Sequence, residues 1–479
     1  MSHTNKHTPR TTHLHSLVFL LGLLPLCFFY RSDFTSWGDD YAQYLYQSQQ
    51  LFQPNDYKVV VNSMDYSPQK RGVFFSLLLA LNVSHTLQGY KYLVAFIYIA
   101  AMVTLFRYVN RSLPTVPAWL AGWTMAYNYK FLFFMNDLVA EFLFILLLYT
   151  LLQLPWTRYK SLFFASALLM ACLICTRVVG IVVYPAFLIS AYQTREFDFE
   201  PHAKKQMLLY HFLLMVGSIF LIQSLIQPGD YGQELPFYRD LFQRLYTIKE
   251  QLAQIPHLLT VTGSYVSQEI PGIANKILLL WFLVGILLFL VKRTFRDNTF
   301  ESLVFLFYGI VLLCWPDHTN TSRYVLPLIP FLFLAAFKGW SHVPAWPEKA
   351  WIQNQHLLGA ALLVLLGLTI RTSCRPQPGS NALGPFSTEV QEDFAKVKAN
   401  TRSSDVIAFS KPLLINLCCD RNSFALYDQT VTEAKKTCDY VLVPKTPELG
   451  EVFYKQVKIA GILGDTIKLH CFDLIKNTR

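Results

Sequence analysis

Long apolar runs recur along this chain of 479 residues and restrict what it can fold into. The runs extend over roughly 16 to 22 residues, enough to cross a hydrocarbon layer about 30 Å thick. Charged residues make up 15% of the chain, whereas soluble domains carry about 25%. Soluble cores cannot bury so many runs of this length, so the sequence predicts a polytopic integral membrane protein built mainly of α-helices.

We predict eleven spans in this transmembrane bundle. The first run ends in the bulky sequence Cys27-Phe28-Phe29-Tyr30, where a cleaved signal peptide has small residues, so we interpret it as a retained span. The apolar segment Val73–Val83 is too short to cross alone and suits an interfacial or re-entrant helix. The spans are Leu14–Tyr30, Tyr92–Tyr108, Val116–Phe131, Leu138–Leu154, Ser161–Thr176, Val178–Tyr192, Met207–Gln227, Ile277–Val291, Phe300–Trp315, Tyr324–Phe337 and His356–Ile370.

Alternate loops are short and basic, which predicts an orientation through the positive-inside rule. With a cytoplasmic N-terminus, the two long loops, residues 31–91 and 228–275, lie on the outer face of the cell (inner) membrane. An odd number of spans then places residues 372–479 outside as well. The predicted cytoplasmic loops carry Arg107 and Arg111; Arg158 and Lys160; Arg195, Lys204 and Lys205; Lys292, Arg293 and Arg296; and Lys338 and Lys349.

The chain changes character after the predicted transmembrane domain of residues 1–371. A stretch rich in Pro and Gly is followed by short β-like runs that alternate with polar, helix-like segments. This pattern predicts a small extracytoplasmic α/β domain over residues 372–479. Five of the nine cysteines lie there, and an oxidising compartment would allow one disulfide.

The formal net charge of +10 does not indicate a nucleic-acid partner. Lys and Arg are spread over short loops, without a basic arm or a helix-turn-helix pattern. The sequence also lacks metal-ligand spacing and a glycine-rich nucleotide loop. We therefore expect membrane lipids as partners, no metal site and no tightly bound cofactor, while a divalent-metal requirement stays open.

Two adjacent carboxylates follow the first predicted span, in the sequence Trp37-Gly38-Asp39-Asp40-Tyr41. Asp39 and Asp40 can supply a general base or orient an acceptor. They can equally begin a helix, because Asp40-x-x-Gln43 fits a capping box. The residues alone leave both interpretations open.

A second acidic pair, Asp137 and Glu141, lies at the outer end of the fourth predicted span. Residues four apart on a helix lie on the same face, so we expect these two carboxylates side by side. Asp137 could serve only as a helix cap. Glu141 lies about one turn deeper, where a charge is unfavourable unless it faces a polar cavity, so we interpret it as lining a site.

Four cations lie at the same predicted outer boundary. Lys70 and Arg71 precede the short apolar helix, and Arg177 separates the fifth and sixth spans. Arg323, followed by Tyr324, begins the tenth span. Each cation alone could simply extend to lipid headgroups. Together, beside two acidic pairs, they favour an anionic ligand such as phosphate, which Arg can clamp with two parallel hydrogen bonds.

The order of these motifs resembles the GT-C class of glycosyltransferases, which use polyprenyl-phosphate sugars. Within that class the chain is similar to the protein O-mannosyltransferase, aminoarabinose-transferase and rhizobial galacturonosyltransferase-like group. The resemblance covers about residues 15–340 and rests on the order and spacing of Asp39-Asp40-Tyr41, Ser67-Pro68, Asn136-Asp137-x-x-x-Glu141, Thr176-Arg177-x-x-Gly180 and Arg323-Tyr324-x-x-Pro327-x-x-Pro330.

The resemblance implies that a sugar is transferred from a polyprenyl-phosphate donor to a lipid, glycan or protein acceptor on the extracytoplasmic face. It implies that Asp39 or Asp40 deprotonates or orients the acceptor; the family often has Glu at the second of these positions. It also implies a set of residues that contact the donor phosphate or, for the tyrosine, line the donor tunnel: Lys70 or Arg71, Arg177, Arg323 and Tyr324.

Two other functions fit parts of the sequence. A transporter or flippase of lipid-linked glycans would explain the spans and the outer cations. Such proteins usually carry internal repeats or helices broken at the middle of the membrane, and this sequence indicates neither. A polysaccharide polymerase or ligase is the nearest enzymatic alternative, because it shares the composition and the large outer loop.

Overall fold

A helical bundle and one mixed sheet make up the computed structural model of the chain. Helical residues occur in every predicted span, although only part of Ile277–Val291 falls within the described residues. The structure describes residues 9–30, 39–50, 59–61, 64–66, 72–82, 86–194, 203–225, 280, 283–289, 300–314, 321–340, 355–374, 384–426, 431–445 and 464–477.

The described residues include three 3-10 turns, Leu24–Phe28, Val178–Val182 and Leu326–Leu328, and seventeen α-helices. In chain order they are α1 (Pro9–Leu21), α2 (Asp39–Gln50), α3 (Val73–Ala80), α4 (Leu87–Asn110), α5 (Thr115–Ala126), α6 (Tyr129–Met135), α7 (Glu141–Gln153), α8 (Lys160–Thr176), α9 (Val183–Gln193), α10 (Lys204–Ser224), α11 (Phe300–Cys314), α12 (Thr321–Val325), α13 (Ile329–Trp340), α14 (Gln355–Ser373), α15 (Thr388–Asn400), α16 (Pro412–Cys419) and α17 (Val431–Thr437).

Within the described part of the chain, α4 and α10 are long and apolar enough to cross a membrane. Seven shorter apolar helices of 10–17 residues accompany them. α10 exposes large apolar side chains such as Leu213 and Phe220, and only 17% of its apolar window is buried. An apolar face of this size is unfavourable in water. The number of spans stays a prediction.

α7 lies at the centre of the bundle because it is apolar on nearly every face. Phe142, Phe144, Leu148 and Tyr149 are all fully buried, although they point in different directions around the helix. A helix of this kind is stable only where neighbours surround it. α4 and α8 both pack against α7, and the ring of Tyr98 in α4 meets Phe142 edge-on at 4.5 Å.

The sheet joins the C-terminal region to the first long loop. Its order is β2-β1-β4-β3-β5-β7-β6, and β1 pairs parallel with β4, with Val59 opposite Ser423. The C-terminal region is the predicted α/β fold, but two strands of its sheet come from residues 59–66, outside 372–479. The strands are β1 (Val59–Val61), β2 (Met64–Tyr66), β3 (Val406–Phe409), β4 (Asn422–Ala425), β5 (Tyr440–Pro444), β6 (Thr466–Lys468) and β7 (Phe472–Lys476).

α2 is held between the bundle and the C-terminal domain. It packs against both α3 and α16. Every residue from Tyr41 to Ser48 is buried, although Gln43, Gln47 and Ser48 are polar. Gln47 accepts a hydrogen bond from Ser76 of α3 at 2.9 Å, and Tyr41 packs on Phe386 of the domain with ring centres 5.6 Å apart. The hydrogen bond from Ser76 compensates part of the desolvation of the buried Gln47 side chain.

The nine cysteines are all free thiols. The disulfide allowed by the cluster of C-terminal cysteines therefore does not form in this structure. Cys419 and Cys438 are buried in the C-terminal domain, and burial raises the pKa of the neighbouring Cys418 thiol to about 12. These cysteines serve as small apolar core residues.

Phe386→Ala should loosen α2 while the bundle stays folded. The aromatic pair of Phe386 and Tyr41 contributes about 0.5–1.5 kcal/mol beyond its buried area, so hydrogen exchange of the α2 amides should rise about two- to tenfold. Phe28→Ala is the control, because the Phe28 ring is 86% exposed. Equal exchange in the two variants would show that the domain does not hold α2.

Candidate functional site

Glu141 is the first residue of α7, and its carboxylate lies where three chain segments meet. The residue is fully buried. Its position at the helix N-terminus favours a negative charge, because the helix dipole is positive there. Two arginines from distant segments, Arg177 and Arg323, form ion pairs with this one carboxylate. Three of the residues predicted from the sequence, Glu141, Arg177 and Arg323, therefore come together at this point.

Asp137 does not share a helix with Glu141, contrary to the expectation from their spacing. Asp137 lies in the link between α6 and α7. In this link the Asn136 side-chain amide donates to the Phe29 carbonyl at 3.0 Å, and Asp137 Oδ1 accepts from the Leu138 N–H at 3.1 Å. Such local bonds from side chain to backbone compete with helical hydrogen bonds. Asp137 is buried beside the site, but on a different element.

Arg177 reaches Glu141 because the chain turns sharply after α8. Arg177 adopts an extended conformation, with φ −150° and ψ 131°, before the 3-10 turn Val178–Val182. Gly180 allows this turn to lie tight on α8, since a Cβ there would come within 3.0 Å of the Leu173 carbonyl carbon and oxygen. Arg177 Nη2 then donates to Glu141 Oε1.

Arg323 approaches the same carboxylate oxygen from α12. Its Nε donates to Glu141 Oε1 at 2.6 Å. The next residue, Tyr324, places its ring 4.9 Å from the Arg177 guanidinium, a cation–π contact. Four of the predicted site residues, Glu141, Arg177, Arg323 and Tyr324, thus form one cluster, which we call the arginine cluster.

The arginine cluster carries one negative and two positive charges. Among the described residues, Glu141 Oε2 and Arg177 Nε are buried without a hydrogen-bond partner. A buried charge is stable only when it is paired and its polar atoms are satisfied. The excess positive charge and the open guanidinium N–H both suit an anion with several oxygen acceptors. Since the same contacts also tie α7, α8 and α12 together, the cluster has a structural role as well.

Two tyrosines that sequence reasoning missed also border the cluster. Tyr44 of α2 and Tyr308 of α11 both lie near Arg177. Tyr308 also donates its hydroxyl to the Tyr324 carbonyl at 3.0 Å. Tyr44 follows Asp40 by one helical turn, so its spacing from that aspartate could have predicted a position on the same face of α2. Tyr308 lies within an apolar run and carries no such signal.

The first-loop residues are only partly described. Asp39 and Asp40 begin α2, but their side chains, like Lys70 and Arg71 as a whole, lie outside the described residues. Gly72, which follows Arg71, has φ +59° and packs so closely on Tyr44 that a Cβ would lie 2.5 Å from its ring. Because Tyr44 also lies near Arg177, α2 and the start of α3 both approach the arginine cluster.

A metal site is not evident in the part of the chain that the structure describes. Those residues contain no group of three or more His, Cys, Asp or Glu side chains that could hold an ion.

No family model and no curated protein matches the chain, but solved structures do. An oligosaccharyltransferase from Archaeoglobus fulgidus, in complex with zinc and sulfate, is 12% identical over 94% of this chain and 71% of its own, with a TM-score of 0.55. ArnT from Cupriavidus metallidurans in the apo state is 11% identical over 98% and 99%, with a TM-score of 0.53. The chain has the GT-C fold.

This fold confirms the resemblance predicted from the order of the motifs. A structure of ArnT bound to undecaprenyl phosphate also matches, with 10% identity, a TM-score of 0.51 and coverage of 98% and 99%. The match to ArnT extends over nearly the full length of both chains. The GT-C likeness therefore includes the C-terminal region, beyond residue 340, where the sequence resemblance ended.

Glu141→Gln should destabilise the protein, because it leaves two buried guanidiniums without their carboxylate. Breaking a buried ion pair costs about 3–5 kcal/mol, measured as the free energy of unfolding. Inorganic phosphate should restore part of this loss by replacing the missing negative charge. Glu301→Gln is the control, since Glu301 bonds Tyr108 at the other end of the bundle. Equal rescue of both variants by phosphate would contradict an anion site at Arg177 and Arg323.

Proposed function

We propose that the chain is an integral membrane glycosyltransferase that transfers a sugar from a polyprenyl-phosphate donor to a lipid, glycan or protein acceptor. The observation that carries this proposal is the arginine cluster, in which a buried Glu141 holds two arginines at one end of a GT-C fold. We place the reaction on the extracytoplasmic face, with a cytoplasmic N-terminus and an outer C-terminal domain, as the distribution of basic loops favours.

The donor phosphate would lie against Arg177 and Arg323. In the reaction, the acceptor oxygen attacks the anomeric carbon and the bond from that carbon to the phosphate oxygen breaks. The electron pair goes to the phosphate, whose negative charge increases. Guanidiniums that are already fixed in place stabilise this developing charge without reorganisation. Glu141 supplies that fixation by holding both arginines through one oxygen.

The first loop would complete the site. Asp39 or Asp40 takes the acceptor proton as the acceptor attacks, on the side of the sugar opposite the leaving phosphate, so the anomeric configuration inverts. Lys70 or Arg71 adds a further cation to the phosphate, and Tyr324 lines the path of the prenyl chain. The proximity of Tyr44 to Arg177 supports this arrangement, because Tyr44 lies on the helix that begins with both aspartates.

The direct test is incubation of the purified protein in nanodiscs with a panel of polyprenyl-phosphate sugars. We expect one donor to release free polyprenyl phosphate together with a transferred or hydrolysed sugar. Release that requires Arg323 would support the proposal. Movement of intact donor between leaflets without bond cleavage would instead favour a transporter of lipid-linked glycans.

Arg323→Lys should weaken donor binding and turnover while the protein still folds. Lysine keeps the positive charge but lacks the planar guanidinium, whose several N–H groups can donate to the carboxylate and to the phosphate at the same time. The loss should reach about 1.5–3 kcal/mol, the contribution of a hydrogen bond to a charged group. Arg111→Lys is the control, because Arg111 bonds the Gln153 carbonyl at the far end of α7. Wild-type affinity in Arg323→Lys would remove the support for a phosphate site.

Asp39→Asn and Asp40→Asn separate catalysis from helix capping. Asparagine caps a helix about as well as aspartate, so a capping role predicts full activity in both variants. A general base cannot be replaced by an amide, and we therefore expect one of the two variants to lose transfer while donor binding is unchanged. Transfer rates and donor affinity measured on the same preparations decide between the roles. Full transfer in both variants would exclude these carboxylates as the base.

A further inference from the structure

The segment that carries Arg323 is an interrupted helix. α12 ends at Val325, a 3-10 turn covers Leu326–Leu328, and α13 begins at Ile329. Pro327 and Pro330 cause the interruption, because proline has no N–H to donate to the carbonyl four residues earlier. The direction of α12, and with it the position of Arg323, is therefore not determined by a continuous helical hydrogen-bond ladder.

The hydroxyl of Tyr149 is inserted into this interruption. In a regular α-helix the N–H of Phe331 would bond the carbonyl of Pro327, four residues earlier. Here the Phe331 N–H donates to the Tyr149 hydroxyl at 3.1 Å, and that hydroxyl donates to the Pro327 carbonyl at 2.9 Å. A side chain inserted between a helical donor and acceptor holds the two apart and bends the helix.

Tyr149 itself is held rigidly. It is fully buried in α7. Its ring meets the Tyr108 ring edge-on, with ring centres 4.8 Å apart. The centre of the Phe305 ring lies 6.2 Å from that of Tyr149. The hydroxyl therefore has a defined position relative to α7 and cannot follow a movement of the interrupted helix.

α7 contacts the interrupted helix at two matched points. Glu141 binds Arg323, and eight residues further along both segments Tyr149 binds Phe331. Eight α-helical residues rise about 12 Å, so the two contacts lie about 12 Å apart along α7 and follow the same order along both segments. One contact alone would leave the interrupted helix free to pivot, whereas two contacts on the same rigid helix fix its angle.

We propose that Tyr149 is a positioning residue that sets the bend at Pro327 and thereby holds Arg323 against Glu141. The effect on donor binding rests on the proposed function, but the effect on the ion pair does not. If Tyr149 served only to fill space, its phenyl ring would be sufficient and the hydroxyl dispensable. The hydroxyl is therefore the group to remove.

Tyr149→Phe tests this, with Tyr98→Phe as the matched control. Tyr98 is also fully buried, and its hydroxyl donates to the Ala126 carbonyl, a bond outside the interrupted helix. Both variants lose one buried hydroxyl and keep the ring. A similar fall in thermal stability is expected for the two, so stability alone does not identify a positioning role.

The decisive measurement is the coupling between Glu141 and Arg323. A double-mutant cycle of Glu141→Gln and Arg323→Lys on the unfolding equilibrium gives this coupling, which we expect to be about tenfold or more in the unfolding constant. In the Tyr149→Phe background the coupling should fall about fivefold or more. It should persist in the Tyr98→Phe background. Undiminished coupling in Tyr149→Phe would overturn the proposal.

Donor binding gives the second readout and separates the two proposals. The affinity for polyprenyl phosphate in nanodiscs should fall about tenfold in Tyr149→Phe, in line with the loss of a positioned charged hydrogen bond. It should not fall further when Arg323→Lys is added, because both changes disable the same arginine. Reduced coupling with unchanged donor affinity in every variant would contradict the phosphate site and leave the positioning role of Tyr149 supported.

Discussion

The single carboxylate of Glu141 is the point on which the polar end of the bundle depends. A charged group that is buried from solvent is stable only if it is paired with groups of opposite charge. Both partners of Glu141 lie in distant parts of the chain: Arg177 follows α8, and Arg323 lies in α12. The extended backbone at Arg177 and the bend at Pro327 both allow an arginine side chain to reach the Glu141 carboxylate. One buried charge and its two cations therefore connect three neighbouring segments of the bundle.

The same end of the bundle is closed by a polar helix, which is unusual for a chain so rich in apolar residues. α2 is buried from Tyr41 to Ser48, and it packs against both α3 and α16. The pairing of β1 with β4 ties the loop after α2 to the C-terminal sheet. The strand pairing thus couples the C-terminal domain to the first loop, and a movement of one would displace the other.

The sequence predicted the helical bundle and the meeting of Glu141 with Arg177 and Arg323 at one end. Charged residues at the ends of apolar spans are restricted to the two ends of the bundle, so residues at the same end lie near one another. The sequence placed Asp137 wrongly on α7, since local side-chain bonds override helical spacing. It missed the strand Val59–Val61, because the strand that joins it to the C-terminal sheet, β4, lies more than 350 residues later, and its neighbour β2 has only three residues. The hydrogen bonds of the Tyr149 hydroxyl were not predictable, since the sequence of an apolar run does not indicate which backbone groups a tyrosine within it will contact.

The charge of the arginine cluster also bears on the proposed reaction. A polyprenyl-phosphate sugar carries one negative charge on its phosphate, which the net positive charge of Glu141, Arg177 and Arg323 balances. The departing polyprenyl phosphate carries about 1.5 to 2 negative charges near pH 7. A cluster without Glu141 would carry two positive charges and would bind the donor more tightly before any bond breaks. Only interactions that strengthen toward the transition state accelerate a reaction. Glu141 lowers the attraction of the cluster for the donor and for the transition state alike, so its contribution to the proposed reaction is to hold both arginines in place before charge develops on the phosphate.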